Sequence, residues 1–199
     1  MTNQELIQYL TKPVGRKVSG IVVHCSATKI GQIVDVNTID RWHKGRGFKR
    51  QPISKRYCGY HFVVTESGEI QKGRDLQEAG AHVEGSNSKT IGVCYAGGIG
   101  QNGKPADTRT DKQKESLLFL LRLLVAKFPE STILGHRDYS PDKDGDGIIE
   151  ILGRVKLTRN FFRFVALESA NRLANLVAVD NHTCGDVGSC GNSLNPLIS

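Results

Sequence analysis

The 199-residue sequence predicts an α/β fold in which a central mixed β-sheet is flanked by helices. Three observations carry the prediction. Short apolar, β-branched runs recur at 20–26, 60–65, 90–96 and 131–136, each bounded by small or turn-forming residues. A leucine-rich segment at 110–128 has a helix signature and separates two of these runs, which favours parallel pairing. The turn Glu66-Ser67-Gly68 joins the second run to Glu69-Ile70-Gln71 so closely that those two strands must be antiparallel.

The elements follow in order. An amphipathic opening turn (Leu6, Ile7, Leu10) ends before the breaker Pro13. Gly20-Ile-Val-Val-His-Cys-Ser26 has the unbroken apolar character of a buried strand. Asn37 reads as an N-cap with Asp40 in the first turn, so a short helix is expected over 38–44, ending near Gly45 or Gly47. The hairpin at 60–71 and the strand 90–96, closed by Gly97 and Gly98, come next. Thr110 with Gln113 three residues on forms a capping box, and the leucine content that follows predicts a helix buried on most of its circumference until Pro129. A last strand spans 131–136. Beyond 157 the periodicity weakens: 161–179 is compatible with a helix, and 181–199 reads as a Gly/Asn/Ser-rich tail.

Composition excludes several classes. With 38% hydrophobic and 24% charged residues the chain is neither a disordered nor a fibrous sequence. No apolar stretch reaches the ~20 residues of a bilayer span. The opening residues lack the basic, apolar and small-residue succession of a secretory signal, so synthesis and initial retention in the cytoplasm are expected. Five cysteines at irregular spacing suit thiols or metal ligands better than a disulfide framework. The net charge of +7 is concentrated: Arg41, Lys44, Arg46, Lys49, Arg50, Lys55 and Arg56 share one stretch without an acidic residue, which predicts attraction to a polyanion such as a bacterial wall, an anionic membrane or a nucleic acid.

Two of the six histidines, His24 and His136, stand on or at the end of predicted strands, where α/β sheets open into ligand-holding crevices. Neutral imidazoles on rigid strands suit Zn²⁺, which in hydrolytic sites keeps one position for water. Cys25 is a poor nucleophile partner for His24, because successive strand residues point to opposite faces. Cys94 reads as small core filling.

The motifs His24-Cys25-Ser26-Ala27-Thr28, Trp42-His43-Lys44, Gly59-Tyr60-His61-Phe62, Gly73-Arg74-Asp75, Gly80-Ala81-His82, Ile91-Gly92-Val93-Cys94 with Gly97-Gly98, and Gly135-His136-Arg137-Asp138 occur in one order and spacing. Over residues 18–140 the chain thereby resembles the type 2 N-acetylmuramoyl-L-alanine amidases, which include bacteriophage lysozyme-type amidases and, more distantly, the peptidoglycan-recognition proteins. The resemblance implies that family's fold and a zinc hydrolase cutting the amide between N-acetylmuramic acid and L-alanine in peptidoglycan. It implies His24 and His136 as metal ligands, Tyr60 as the catalytic tyrosine, and His82 and Asn87 in the substrate groove. It divides the chain into an N-terminal segment 1–17, an amidase-like domain 18–157 and an atypical C-terminal extension 158–199. His61 is expected to face away from Tyr60 in a structural role, Trp42 to pack, His43 is left open, and Asp138 is a candidate to orient His136 or to pair with a neighbouring arginine.

The family's third zinc ligand is a cysteine soon after the Gly-His strand, and the corresponding segment 156–164 has none. Three explanations stand: replacement by Cys184, Cys190 or His182 from the tail, replacement by a carboxylate such as Asp142, or a chain that binds peptidoglycan without cleaving it. The acidic run Asp142-Lys-Asp144-Gly-Asp146-Gly147 copies the first half of a calcium loop, but Gly153 stands where the bidentate glutamate belongs, so Ca²⁺ is only a minor alternative to zinc. The expected protein is a monomeric cell-wall lytic amidase of phage or prophage type, acting on the wall after release or on cytoplasmic muropeptides. The rivals are a non-catalytic peptidoglycan-binding module and, less favoured, a nucleic-acid binder using the basic stretch.

Overall fold

The computed structural model describes residues 1–139. The acidic run from Asp142, the candidate ligands Asp142, His182, Cys184 and Cys190, the helix expected at 161–179 and the extension 158–199 lie outside the described residues.

Helix α1 (Asn3–Thr11) opens the chain with a capping box in which the Thr2 hydroxyl and the Glu5 carboxylate each accept the other's backbone N–H. Strand β1 (Gly20–Cys25) follows, then the two-residue β2 (Thr28–Lys29) and helix α2 (Val36–Gly45). Strands β3 (Phe62–Val64) and β4 (Ile70–Lys72) form the expected hairpin. After β5 (Thr90–Tyr95) and the short β6 (Gly98–Ile99) come helix α3 (Asp111–Lys127), β7 (Thr132–Gly135) and a single 3₁₀ turn, His136–Tyr139. The main sheet has the order β4-β3-β5-β1-β7. It is mixed, as predicted: β3, β5, β1 and β7 run parallel and β4 antiparallel at one edge.

Side-chain alternation gives each strand two audiences. Ile21, Val23, Phe62, Val64, Ile91, Val93 and Tyr95 pack with α1 and α3 in the larger core. Val63 and Cys94 point the other way, into a smaller cluster with Val36 and Ile39 of α2, Val34, Cys58 and Ala96. His24 is on that second side of β1, while Cys25 packs against the larger core, so the two diverge as alternation requires. Leu6, Tyr9 and Leu10 make α1 part of the larger core.

Four expectations are corrected. The α2 N-cap is Asp35, whose carboxylate accepts the Thr38 N–H at 2.7 Å; Asn37 is inside the helix and its Oδ1 accepts from Arg56 instead. Asp at the earlier position wins because Val36, Ile39 and His43 must share the buried face. Trp42 falls on the flank of that face and is 40% exposed rather than packed in the core. The β3 ladder begins at Phe62, so Tyr60 and His61 belong to the segment entering the strand. Finally, full burial on α3 is confined to the stripe Gln113, Leu117, Leu120, Leu121 and Leu124, with Leu118, Phe119, Leu123 and Val125 half-buried beside it.

Candidate active site

Parallel pairing of β1 with β7 builds the centre of the site. Val23 is opposite Gly135, so the next residues, His24 and His136, emerge side by side at the C-terminal end of the sheet. Their Nδ1 atoms are 3.1 Å apart and their ring centroids 4.9 Å apart. Two bonds of about 2.0–2.1 Å at a tetrahedral angle separate their nitrogens by about 3.3 Å, so this pair has the spacing of two ligands on one Zn²⁺. Among the described residues, no group of three or more His, Cys, Asp or Glu side chains is arranged to hold a metal ion.

The other side of the His24 ring meets His82, with His24 Nε2 3.0 Å from His82 Nδ1. Tyr60 closes a third side at 5.0 Å between centroids. The histidines and Tyr60 line a cleft of about 720 Å³ that also takes in His43, Arg46, Phe48, Ala81 and Asn87. This volume suits a ligand of several sugar or peptide units.

Family motifs that carry no reactive group hold the walls. Arg74 is buried, and its guanidinium donates to the carbonyls of Cys58 and Ala79, tying the segment before Tyr60 to the loop before His82. The Glu78 carboxylate accepts the N–H groups of Ile53, Ser54 and Asp75. Burial alone would raise its pKa, but hydrogen bonds from Ser54, Asp75 and Ile53 keep it below the ordinary carboxylate value. Asp40 of α2 accepts from Tyr57 and Cys58, fastening the helix to the same segment.

Burial keeps His43 and His61 neutral and the Tyr60 phenol protonated. Burial, reinforced by Cys94, Cys58 and Cys25, pushes the Tyr60 phenol far above its ordinary value. His43 is depressed to about 4 by burial and the Arg46 and Arg74 charges, and His61 to about 3 by burial. His43 Nδ1 accepts the Gly59 N–H at 2.8 Å, so its proton is on Nε2; its ring stacks on Phe48 at 4.4 Å. His61 Nδ1 accepts the Gly92 N–H and its Nε2–H donates to the Glu78 carbonyl, with the Arg16 guanidinium 3.1 Å from the same nitrogen, so the ring is committed to a structural role. Contrary to the alternation argument, His61 does not turn to the opposite side of the sheet but is behind His82, with centroids 6.0 Å apart.

The structure therefore brings His24, His136, Tyr60, His82 and Asn87 to one cleft. The polar atoms expected to meet substrate are partly committed to the protein itself. His82 turns its ring nitrogens to His24 and Thr90, and Asn87 Oδ1 accepts the His82 and Val83 N–H groups. Asp138 accepts the Gly135 N–H at 2.7 Å, shaping the end of β7. Cys25 is half-buried at the cleft, and Cys94 is buried core as expected. The sequence leaves His43 open and does not point to Arg46 and Phe48 as cleft residues. For His43 a signal was present, since Val36, Ile39 and His43 fall on one helical stripe; Arg46 and Phe48 reach the cleft from a loop without periodicity.

Comparison with known proteins agrees with this geometry. The profile of the N-acetylmuramoyl-L-alanine amidase family matches residues 14–147. An endolysin of Enterobacteria phage K11 is 37% identical over 126 residues, spanning 63% of this chain and 79% of that protein. An endolysin of Escherichia phage T7 is 40% identical over 121 residues, spanning 61% and 76%. Among solved structures, the endolysin N-acetylmuramoyl-L-alanine amidase LysCS from Clostridium intestinale superposes with a TM-score of 0.52 at 26% identity, covering 65% of this chain and 76% of that one. With its family match across most of the chain, the mixed sheet and the histidine-lined cleft at its C-terminal edge, this protein belongs to the N-acetylmuramoyl-L-alanine amidase family and is an amidase.

Proposed function

We propose that the chain is a zinc-dependent cell-wall amidase that cleaves the bond between the lactyl group of N-acetylmuramic acid and the L-alanine of the stem peptide, with His24 and His136 as zinc ligands and Tyr60 as the catalytic hydrogen-bond donor. The observation that carries this reading is the 3.1 Å approach of the Nδ1 atoms of buried His24 and half-buried His136 in a cleft large enough for a glycopeptide. The relatives named endolysin support the wall as the setting of the reaction.

Zinc, when bound, supplies a nucleophile at neutral pH and polarises the scissile carbonyl. The protein's own groups do the rest. Tyr60 keeps its proton because its phenolate is disfavoured in the buried site beside Cys94, and on substrate binding that hydroxyl donates to the oxygen on which charge develops. His24 and His136 hold their rings on strand ends that the sheet keeps rigid. Arg46 at the cleft offers positive charge to the carboxylates of a stem peptide, and Phe48 offers an apolar wall to sugar or side-chain carbons. The Asn87 side-chain amide N–H₂, at the same cleft, is suited to substrate carbonyls.

The remaining protein ligand is sought among Asp142, His182, Cys184 and Cys190. Metal analysis of the purified chain should find about one zinc per molecule, and His136→Ala should abolish both the metal and the release of stem peptides from walls. The same analysis on a chain truncated after Asp180 separates the tail's Cys184, Cys190 and His182 from Asp142. Cleavage that survives with stoichiometric chelator and no metal would overturn the reading.

A further inference from the structure

We propose that His82 is a positioning residue that, backed by Thr90, holds His24 in the tautomer whose Nδ1 lone pair faces His136. This inference builds on His24 and His136 as a metal-binding pair, but the tautomer it assigns exists in the metal-free protein and is measurable there.

The assignment follows from hydrogen-bond bookkeeping alone, started at the end where it is unambiguous. The Thr90 hydroxyl donates to the Ser86 carbonyl at 2.8 Å, so its proton is spent and only its lone pairs face His82. His82 Nε2 approaches that oxygen at 3.4 Å and must therefore be the donor. A neutral imidazole carries one proton, so His82 Nδ1 is an acceptor. Its partner at 3.0 Å, His24 Nε2, must then carry the proton, which leaves His24 Nδ1 bare and directed at His136 Nδ1. A carbonyl in the loop before β5 thus fixes, through two side chains, which nitrogen of a third can bind a cation.

The surroundings keep His82 where this requires. A Cβ on either Gly80 or Gly92 would collide with the His82 ring, so these two positions form a slot that only glycine leaves open. The His82 backbone N–H is held by Asn87 Oδ1 at 2.7 Å. Thr90 and His82 are both buried, which shields their contact from competing water. Among the described residues the His82 ring nitrogens meet His24 and Thr90, so the side chain's chemistry is directed inward to His24 rather than outward to the cleft.

The test uses the full chain. Nitrogen-15 spectra of the metal-free protein should show His24 as a single species protonated at Nε2 and bare at Nδ1. In His82→Leu the two tautomers of His24 should mix, and zinc affinity should fall roughly 10- to 100-fold. His82→Asn, whose Oδ1 can accept from His24 Nε2–H, should restore most of the affinity, a rescue that a purely packing role would not give. Thr90→Val should shift the tautomer in the same direction with a smaller loss, and it carries the test should His82→Leu fail to fold. His24 protonated at Nδ1 in the wild type, or zinc affinity within twofold of wild type in folded His82→Leu or Thr90→Val, would overturn the proposal. If the wild type binds no zinc, the zinc reading fails, and the tautomer measurement still decides whether the relay exists.

Discussion

Tyr60 occupies the position in the cleft where a single proton matters. Its ring is 5.0 Å from that of His24 and 5.5 Å from that of His43, and burial raises its pKa far above the ordinary value, so the phenol keeps its proton at neutral pH. A donor that stays protonated at the assay pH contributes to catalysis through its hydrogen bond, so Tyr60→Phe removes that bond and little else. Turnover should fall by about 10²-fold or more while zinc content is unchanged. Steady-state assays on purified wall with parallel metal analysis check this, and undiminished turnover would take Tyr60 out of the mechanism. Of the histidines against Tyr60, His43 is fixed by a backbone group, the Gly59 N–H that its Nδ1 accepts, so that ring has a defined tautomer before any substrate arrives.

Helix α3 shows how one element carries both packing and polar order. Four leucines, 117, 120, 121 and 124, supply the buried stripe. At the helix's first turn the fully buried Gln113 accepts the Thr110 N–H at 3.0 Å and donates to the Ala96 carbonyl at 2.9 Å, joining the cap to the end of β5. Gln113→Leu keeps the apolar volume and leaves two backbone groups without partners, each costing about 1–3 kcal/mol. The expected loss of stability is about 3 kcal/mol, read as a lower urea midpoint at unchanged slope. A change under about 0.5 kcal/mol would mean that water or a rotated backbone group replaces both bonds. Helix α2 is held differently, by Asp40 receiving two N–H groups from the segment that leads to Tyr60. Its placement therefore sets one wall of the cleft.

For the whole molecule, the buried neutral histidines make stability depend on pH. His43 and His61 titrate near 4 and 3 in the folded protein, below the ordinary value of 6.5, because burial disfavours the charged ring. The unfolded chain therefore binds more protons below pH 6.5, and the stability these rings contribute is complete above that value and lost as pH falls toward 4 and 3. At pH 5 each costs about 2 kcal/mol relative to pH 7. Urea unfolding of the metal-free protein at pH 7 and pH 5 should differ by several kcal/mol, and equal stabilities would show that the rings are hydrated in solution. The basic stretch 41–56 has its place at this scale too. It follows the exposed face of α2 and brings Arg46 and Phe48 to the cleft, so positive charge borders the proposed substrate path.

What the sequence alone determined is whatever depends on local chemistry. Unbroken β-branched runs bounded by small residues favour buried strands, the Thr-x-x-Gln box marks the start of a helix, and the three-residue turn sets the β3–β4 hairpin. Motif order made His24, Tyr60 and His136 candidates, and the fold brings them together in one cleft. The tertiary structure alone decided the rest. Whether Asp35 or Asn37 caps α2 depended on which helical face the core demanded. Tyr60 and His61 reach the same side because pairing starts after them, a matter of register that alternation within the chain cannot reveal. The contact of His82 with His24 joins residues 58 positions apart, and its meaning is set by Thr90 and Ser86, whose hydrogen bonds no linear pattern reveals. Propensity and periodicity act between near neighbours, whereas a ring nitrogen acquires its role from whatever the packed chain places 3 Å away.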